Sequence, residues 1–314
     1  MRVVVIGVAS QQTSLPVGSF PLEYEPQRSL TGQIRHTVGG VGFNVARVLS
    51  VLGDMVALAS PLGEDYPAAM VDAEAYRYNI STHLCRRELL RTPRTVVLYD
   101  NAGRRMVNSD LTDASDFPFD PADLLPDVKR AKVVVLANMT LTQPILEPIR
   151  QAAKRLAVDF HDVVDPLSDK HRAFLSADFI NMSNEHVRGH ETELLLRLRE
   201  ESDAKVLSMT LGPDGALILT REMERPVHVP TPDVKAVNTV GAGETYWAVF
   251  LHHHLADKMD AVQAAERGCQ AAARQVASRP LVSGTDVNGL RAMLGLRPES
   301  SSIPAEIGWM PYES

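Results

Sequence analysis

The feature that most limits what this chain can fold into is a set of short apolar runs that do not alternate. "RVVVIG" (2–7), "MVALAS" (55–60), "KVVVLAN" (132–138), "RLAVDF" (155–160), "DFINMS" (178–183), "KVLSMT" (205–210) and "ALILT" (216–220) are mostly apolar at successive positions. A strand with one wet face alternates apolar and polar residues, whereas a strand covered on both faces does not. Helical spacing fills several of the intervals. Val41, Val45, Val48, Leu49 and Leu52 recur on one helical face, and Gly53 follows where a helix C-cap belongs. Strand–helix alternation of this kind predicts a doubly wound α/β fold around a mostly parallel central sheet flanked by helices.

Two segments break the alternation. Residues 11–37 scatter Pro, Gly and polar residues with little helical pattern. Residues 91–109, "RTPRTVVLYDNAGRRMVNS", read as a hairpin with an Asp-Asn-Ala-Gly turn. Together they predict a small β layer over the mouth of a site, with sheet edges through which a second copy can pair. From Arg297 the chain is Pro- and Ser-rich, "RPESSSIPAEIGWMPYES", and reads as an irregular tail. The expected organisation is therefore one domain over residues 1–296 and a tail over 297–314.

Composition narrows the function. A chain of 314 residues can bury a large core without staples. Its formal net charge of −7 argues against a nucleic-acid binder, but a local pocket can still attract a small anion. No run approaches the ~18 apolar residues of a membrane span, and the opening "MRVVVIGVAS" reads as a first buried strand rather than a signal peptide. Cys85 and Cys269 are isolated, with neither a metal spacing nor a disulfide framework. A cytoplasmic location with reduced thiols is the expectation.

Three glycine stretches carry the chemistry. "TVGAGE" (239–244) opens a helix, and helix N-termini expose unpaired N–H groups with partial positive charge. Gly241, Ala242 and Gly243 let an anion approach that backbone, and Glu244 puts a carboxylate beside it. "GGVGFNVA" (39–46) opens another helix, with Gly39 and Gly40 at its start and Asn44 one turn in. "TLGPDGA" (210–216) is a Gly-bounded turn after a buried strand. A Walker A loop is absent. The dinucleotide fingerprint fails because Tyr246 stands where a third glycine belongs, so a Rossmann oxidoreductase is disfavoured.

In this order and at these separations, the three stretches resemble the ribokinase-like, or PfkB, family of small-molecule kinases. "VGGVGFNVARVLSVLGDMVALASPLGED" (38–65) is similar to the family's amino-terminal signature, and "NTVGAGET" (238–245) to its carboxy-terminal one. The resemblance implies an α/β core with a β lid, ATP and Mg2+, and transfer of the γ-phosphate to a hydroxymethyl group of a sugar or nucleoside. It implies that Gly241, Ala242 and Gly243 form the anion hole and that Glu244 accepts the acceptor's proton. Gln12, Gly39, Gly40 and Asn44 would meet the acceptor. Phe43, beside the glycine pair, reads equally as a residue that stacks on a nucleoside base or as one that packs in the core. Thr210, Gly212 and Gly215 would border the nucleotide. Asn184 would stand beside it, and Glu185 would help place magnesium through water.

Four positions depart from the family pattern. Glu244 replaces an Asp, one methylene shorter. Val187 stands where Asn-Glu-x-Glu has its second acid, Gln12 where many members grip sugar hydroxyls with Asp, and Asn238 where some hold a monovalent cation with Asp. These departures motivate an alternative: a weak or inactive kinase fold that binds nucleotide or sugar as a sensor or scaffold. Three further clusters are read as ordinary surface. "VDFHD" (158–162) is a polar strand exit or, alternatively, a divalent-metal site. "RREL" and "RTPR" (86–94) are a solvated lid surface or a phosphate-facing one. The histidines at 252–254 point to different helix faces, which disfavours a shared metal.

Overall fold

A computed structural model describes residues 1–298 apart from 101, 103, 138, 238 and 279–286. The expected tail from 297 therefore lies almost wholly outside the described residues, as do Asn238 and two positions of the predicted hairpin turn.

All seven apolar runs form strands of one nine-stranded sheet. From one edge to the other its strands are Val227–Val229, Ala216–Thr220, Val206–Thr210, Phe179–Ser183, Leu156–Asp159, Val133–Leu136, Arg2–Ile6, Met55–Ala59 and Ile80–Ser81. Every pairing is parallel except the two at the Val227 edge. The lack of alternation has a direct cause. Val3 and Val5 enter one core cluster, with the helices Val41–Val51, Ala242–Leu255 and Ala261–Val276. Val4 and Ile6 enter another on the opposite face, with the helices Pro121–Arg130 and Glu191–Glu201. The helix Val41–Val51 ends where its spacing predicts, with Gly53 in the left-handed region at φ 94°. Trp247 and Phe250 stack 5.3 Å apart inside the core and fix the helix Ala242–Leu255.

The two segments that break the alternation meet in a second sheet of four strands. Its order is Arg35–Gly39, Ser10–Gly18, Arg94–Asp100 and Arg105–Asp110. Ser10–Gly18 pairs antiparallel with Arg35–Gly39 and parallel with Arg94–Asp100, so the layer joins distant parts of the chain. Asp65 fastens it to the core. Its carboxylate caps the helix Tyr66–Arg77 through the Ala68 N–H and accepts from the Thr92 N–H and hydroxyl. Burial pushes the Asp65 carboxyl up, but the Thr92 and Ala68 bonds and the Arg94 charge outweigh this and hold it below the ordinary range.

Candidate active site

Open parallel sheets bind ligands beyond the carboxyl ends of their strands, near the point where strand order reverses. Here that point lies between Arg2–Ile6 and Val133–Leu136. Gly7, Ala137, His161, Asn184 and Leu211 follow or closely follow five of these strands. The helix Val41–Val51 starts against the first of them. A Cβ on Gly42 would lie 2.5 Å from the Gly7 carbonyl carbon, and one on Gly40 would lie 2.4 Å from the Val8 oxygen. Only glycine fits either place.

The stretches predicted to serve the acceptor and the anion come together. A Cβ on Gly39 would lie 2.6 Å from Gln12 Oε1, so the Gln12 amide packs on the glycine pair. Gln12 is buried and donates from Nε2 to Ser14 Oγ over 3.2 Å. A Cβ on Gly241 would come within 3.6 Å of Asn44 Nδ2, which puts Asn44 against the start of the second glycine helix. Asn44 Oδ1 accepts from Arg47 Nη2 at 3.0 Å, leaving the amide nitrogen as the group nearer Gly241. Phe43 is a correction. It is wholly buried in the core, beneath the Arg47 guanidinium, and is not available to stack on a base.

Gly241 is the N-cap of Ala242–Leu255 and adopts φ 80°, ψ 6°. This left-handed conformation costs other residues about 1–2 kcal/mol. Gly243 faces open space, and the first N–H groups of a helix have no partners inside it. Glu244 is part-exposed in that first turn.

Two neighbours of this loop, Gln275 and Arg105, carry no sequence signal, and the "VDFHD" strand exit supplies two more. Gln275, from the helix Ala261–Val276, donates from Nε2 to the Val240 carbonyl at 2.6 Å and accepts from the Thr245 hydroxyl at Oε1. Arg105 reaches from the outer strand of the small sheet to the Thr239 carbonyl and, at 3.0 Å, to its hydroxyl. Asp159 and His161, at the strand exit, lie within reach of the Glu244 charge. Burial pushes the Asp159 carboxyl up against the pull of His161, and Glu244 pushes it further. Burial pulls the His161 imidazole down, but Asp159 first and Glu244 second outweigh this and raise it. His161 sits at φ 52°, with Nε2 2.8 Å from the Ala137 carbonyl and Nδ1 3.6 Å from Asp159 Oδ2.

The residues expected on the nucleotide side gather more loosely. Thr210 ends its strand, and its carbonyl accepts from the Asn184 N–H at 3.0 Å. Asn184 Nδ2 donates to Glu191 Oε1 at 2.9 Å. Glu191, absent from the expected set, also accepts from the Gly189 N–H. Gly212 sits in an exposed turn at φ 62° with nothing within 4 Å of a Cβ. Gly215 has a different reason to be glycine, since a Cβ there would lie 2.0 Å from the Val229 carbonyl. Glu185 is exposed and paired with Arg188 at 3.0 Å. Val187 is part-buried against the core and offers no donor atom. One accessible carboxylate fits a magnesium held chiefly by nucleotide phosphates and water, the usual mode for that ion. Arg86 is part-exposed and Arg87 and Arg94 are exposed, as a solvated surface would have them. They pair with Asp123, Asp72 and Asp65.

Comparison with known proteins follows the same outline. The model of the pfkB carbohydrate kinase family matches residues 1–285. The bifunctional protein HldE of Rhodopseudomonas palustris is 24% identical over 232 residues, which cover 68% of this chain and 47% of that protein. The chain thus spans about half the length of the curated relatives it matches first. Among solved structures, the microbiome-derived acarbose kinase Mak1 superposes with a TM-score of 0.80 at 24% identity, covering 94% of this chain and 98% of that one. The Arabidopsis thaliana ribokinase complexed with ribose and ATP superposes with a TM-score of 0.73 at 18% identity, covering 93% and 98%.

Proposed function

The chain belongs to the pfkB family of carbohydrate kinases, and on that premise we propose that it transfers the γ-phosphate of ATP to a hydroxymethyl group of a sugar or nucleoside. The observation that carries the reading is the convergence of Asn44, Gly241 and the Glu244 turn at the carboxyl ends of the strands. Gln12, Gly39, Gly40 and Asn44 hold the acceptor. The acceptor hydroxyl gives its proton to Glu244 as its oxygen attacks phosphorus. The backbone N–H groups of Gly241, Ala242 and Gly243 stabilise the charge on the transferring group, the main task in such a reaction.

Thr210, Gly212 and Asn184 border the nucleotide. Glu185 would hold Mg2+ through water, and the ion, when bound, neutralises phosphate charge. Residues 1–296 act as the kinase unit, with the four-stranded sheet as its lid. Arg105–Asp110, exposed along its length, is the lid edge on which a second copy can pair. The same reading covers the longer side chain of Glu244. The loop around it is held by Gln275 and Arg105, which supports a pocket set back to suit Glu rather than one in decay.

The test is single-turnover phosphoryl transfer, on an acceptor found by thermal-shift screening of sugars and nucleosides with an ATP analogue and magnesium. Glu244→Gln is expected to lower the rate by roughly 10²–10⁴-fold and to leave nucleotide affinity nearly unchanged. Glu244→Asp is expected to lower it too, because the carboxylate then falls short of the hydroxyl. The exposed, Arg188-paired state of Glu185 favours one second reading, a nucleotide-binding scaffold without turnover. Equal rates for the wild type and Glu244→Gln would select it.

A further inference from the structure

At the far end of the helix Ala242–Leu255 the chain builds a second polar cluster. His252 lies eight residues beyond Glu244, about 12 Å along the axis at 1.5 Å per residue. The helix closes with the Ala256 N–H on the His252 carbonyl and the Met259 N–H on the His253 carbonyl. Lys258 takes φ 59° in this turn. The turn folds Asp257 back beneath the last helical residues, where its Oδ2 lies 2.7 Å from His253 Nδ1 and 4.0 Å from His252 Nε2. Consecutive helical residues do point apart, and His254 does leave the group to pack on Phe179. His252 and His253 nevertheless share a partner, because Asp257 comes from beyond the helix.

The decisive neighbour is Asp54. It is fully buried, with one carboxylate oxygen 2.6 Å from the Met1 amino group and the other 2.9 Å from His252 Nδ1. An ionised carboxylate only accepts, so in the neutral imidazole Nδ1 carries the hydrogen and Nε2 bears the lone pair. Nε2 lies 4.0 Å from Asp257 Oδ2, beyond direct hydrogen-bond distance. A cation seated between Nε2, His253 Nδ1 and this carboxylate would satisfy all three. A carboxylate on one imidazole nitrogen with a metal on the other is the arrangement that orients metal-binding histidines and raises their basicity.

We propose that His252, His253 and Asp257 form a binding site for a borderline transition-metal dication, zinc above all, with Asp54 as its outer carboxylate. One ligand atom from each of the three residues lies within 4.8 Å of the others. Two imidazoles and one carboxylate leave a fourth, tetrahedral position open to water. The site ties the strand Met55–Ala59, through the adjacent Asp54, to the end of the helix whose start carries Glu244. It is independent of the kinase reading.

The test uses the tag-free full chain, stripped with a chelator and titrated with zinc by calorimetry and against a chromophoric chelator. One equivalent is expected to bind, and Asp257→Asn and His253→Gln are each expected to weaken it at least ~10-fold, the scale on which even outer-shell partners matter. Both positions reach solvent, and circular dichroism checks that both variants fold. His83→Gln is expected to change nothing, since His83 pairs with Asp127 at 3.1 Å and lies outside the cluster. X-ray absorption of the loaded protein is expected to show imidazole and oxygen ligands only. Absence of stoichiometric binding at ~100 μM zinc, a concentration any specific zinc site should exceed in affinity, would overturn the proposal. So would an affinity unmoved by both variants, and the cluster would then be an ordinary ion-paired helix end.

Discussion

Around Gly241 the backbone is held from several sides. Gln275 grips the Val240 carbonyl and the Thr245 hydroxyl, Arg105 grips Thr239, and the Val237 N–H reaches the Val276 carbonyl at 2.8 Å. Around Gly212 the turn closes mainly on itself, with the Gly215 N–H on the Gly212 carbonyl and the Asp214 N–H on Leu211, both at 3.3 Å. Gly212, Pro213 and Asp214 are exposed, and so is the nearby acid Glu185, paired with Arg188. The two loops have similar composition and similar left-handed glycines, yet one is braced and the other open. Donors that stabilise developing charge must be in place before the reaction, since reorganising them would cost part of their effect. On the proposed reading the Gly212 turn admits and releases a nucleotide each cycle, and such a loop gains from being loose.

The sharpest way to break this contrast is a matched pair of substitutions. Gly241→Ala and Gly212→Ala each force a side chain into a left-handed position. Only the first also puts a Cβ 2.9 Å from Gln275 Nε2. Gly241→Ala is expected to lower kcat by roughly 10²–10³-fold, the scale of a lost oxyanion donor. Gly212→Ala is expected to cost only about 1–2 kcal/mol of strain, read as a lower Tm with kcat nearly kept. Equal kcat losses would erase the distinction between the loops.

Removing the brace should have a smaller effect than filling the glycine. Gln275→Ala removes the bonds to the Val240 carbonyl and the Thr245 hydroxyl and lets the loop drift. A misplacement of about 1 Å costs on the order of 10²-fold in rate, so a fall of ~10–100-fold in kcat, with the ATP KM little changed, is expected in steady-state assays.

A pH titration sharpens the comparison from the strand side. His161 is raised above its ordinary value in the folded protein, so its contribution to stability is complete below about pH 6.5, the ordinary histidine value. It is lost as pH rises through the higher folded value. The Tm difference between the wild type and His161→Gln should be largest in acid and shrink as pH rises. A difference that grows with pH would mean that His161 is not held protonated by Asp159 and Glu244.

The smallest effects should come from the open side. Glu185→Gln breaks an exposed pair worth at most about 1 kcal/mol and is expected to change the magnesium dependence of kcat/KM by no more than ~5-fold. A larger loss would show that the open loop carries more of the reaction than its contacts suggest.

The sheet was legible because each strand's burial on both faces is written into its own residues, as in Val3 to Ile6. The glycine helices were legible for a similar local reason, since a close backbone approach leaves its mark at Gly40 and Gly42. Phe43 misled because an aromatic beside two glycines reads the same whether it faces a ligand or the core. Gln275 and Arg105 left no trace. Their partners are 35 and 134 residues away, and nothing near an isolated Gln or Arg says what it will meet. Asp159 and His161 looked like a strand exit because their relation to Glu244 exists only once the chain has closed. Asp257 escaped notice for the converse reason, since the periodicity that separates neighbouring histidines stops at the helix end.

The strand Ser10–Gly18 has partners on both sides, but they leave the ribosome at different times. Arg35–Gly39 follows shortly, whereas Arg94–Asp100 is made more than seventy residues after the strand is complete. At ~5–20 residues per second, this is an interval of roughly 4–15 s. Throughout it the nascent hairpin presents one unpaired edge, able to template a strand from another chain. Its buried-to-be edge carries Gln11, Gln12, Thr13 and Ser14 rather than a Val–Ile run. Polar side chains there weaken the apolar drive for a wrong pairing while the edge waits.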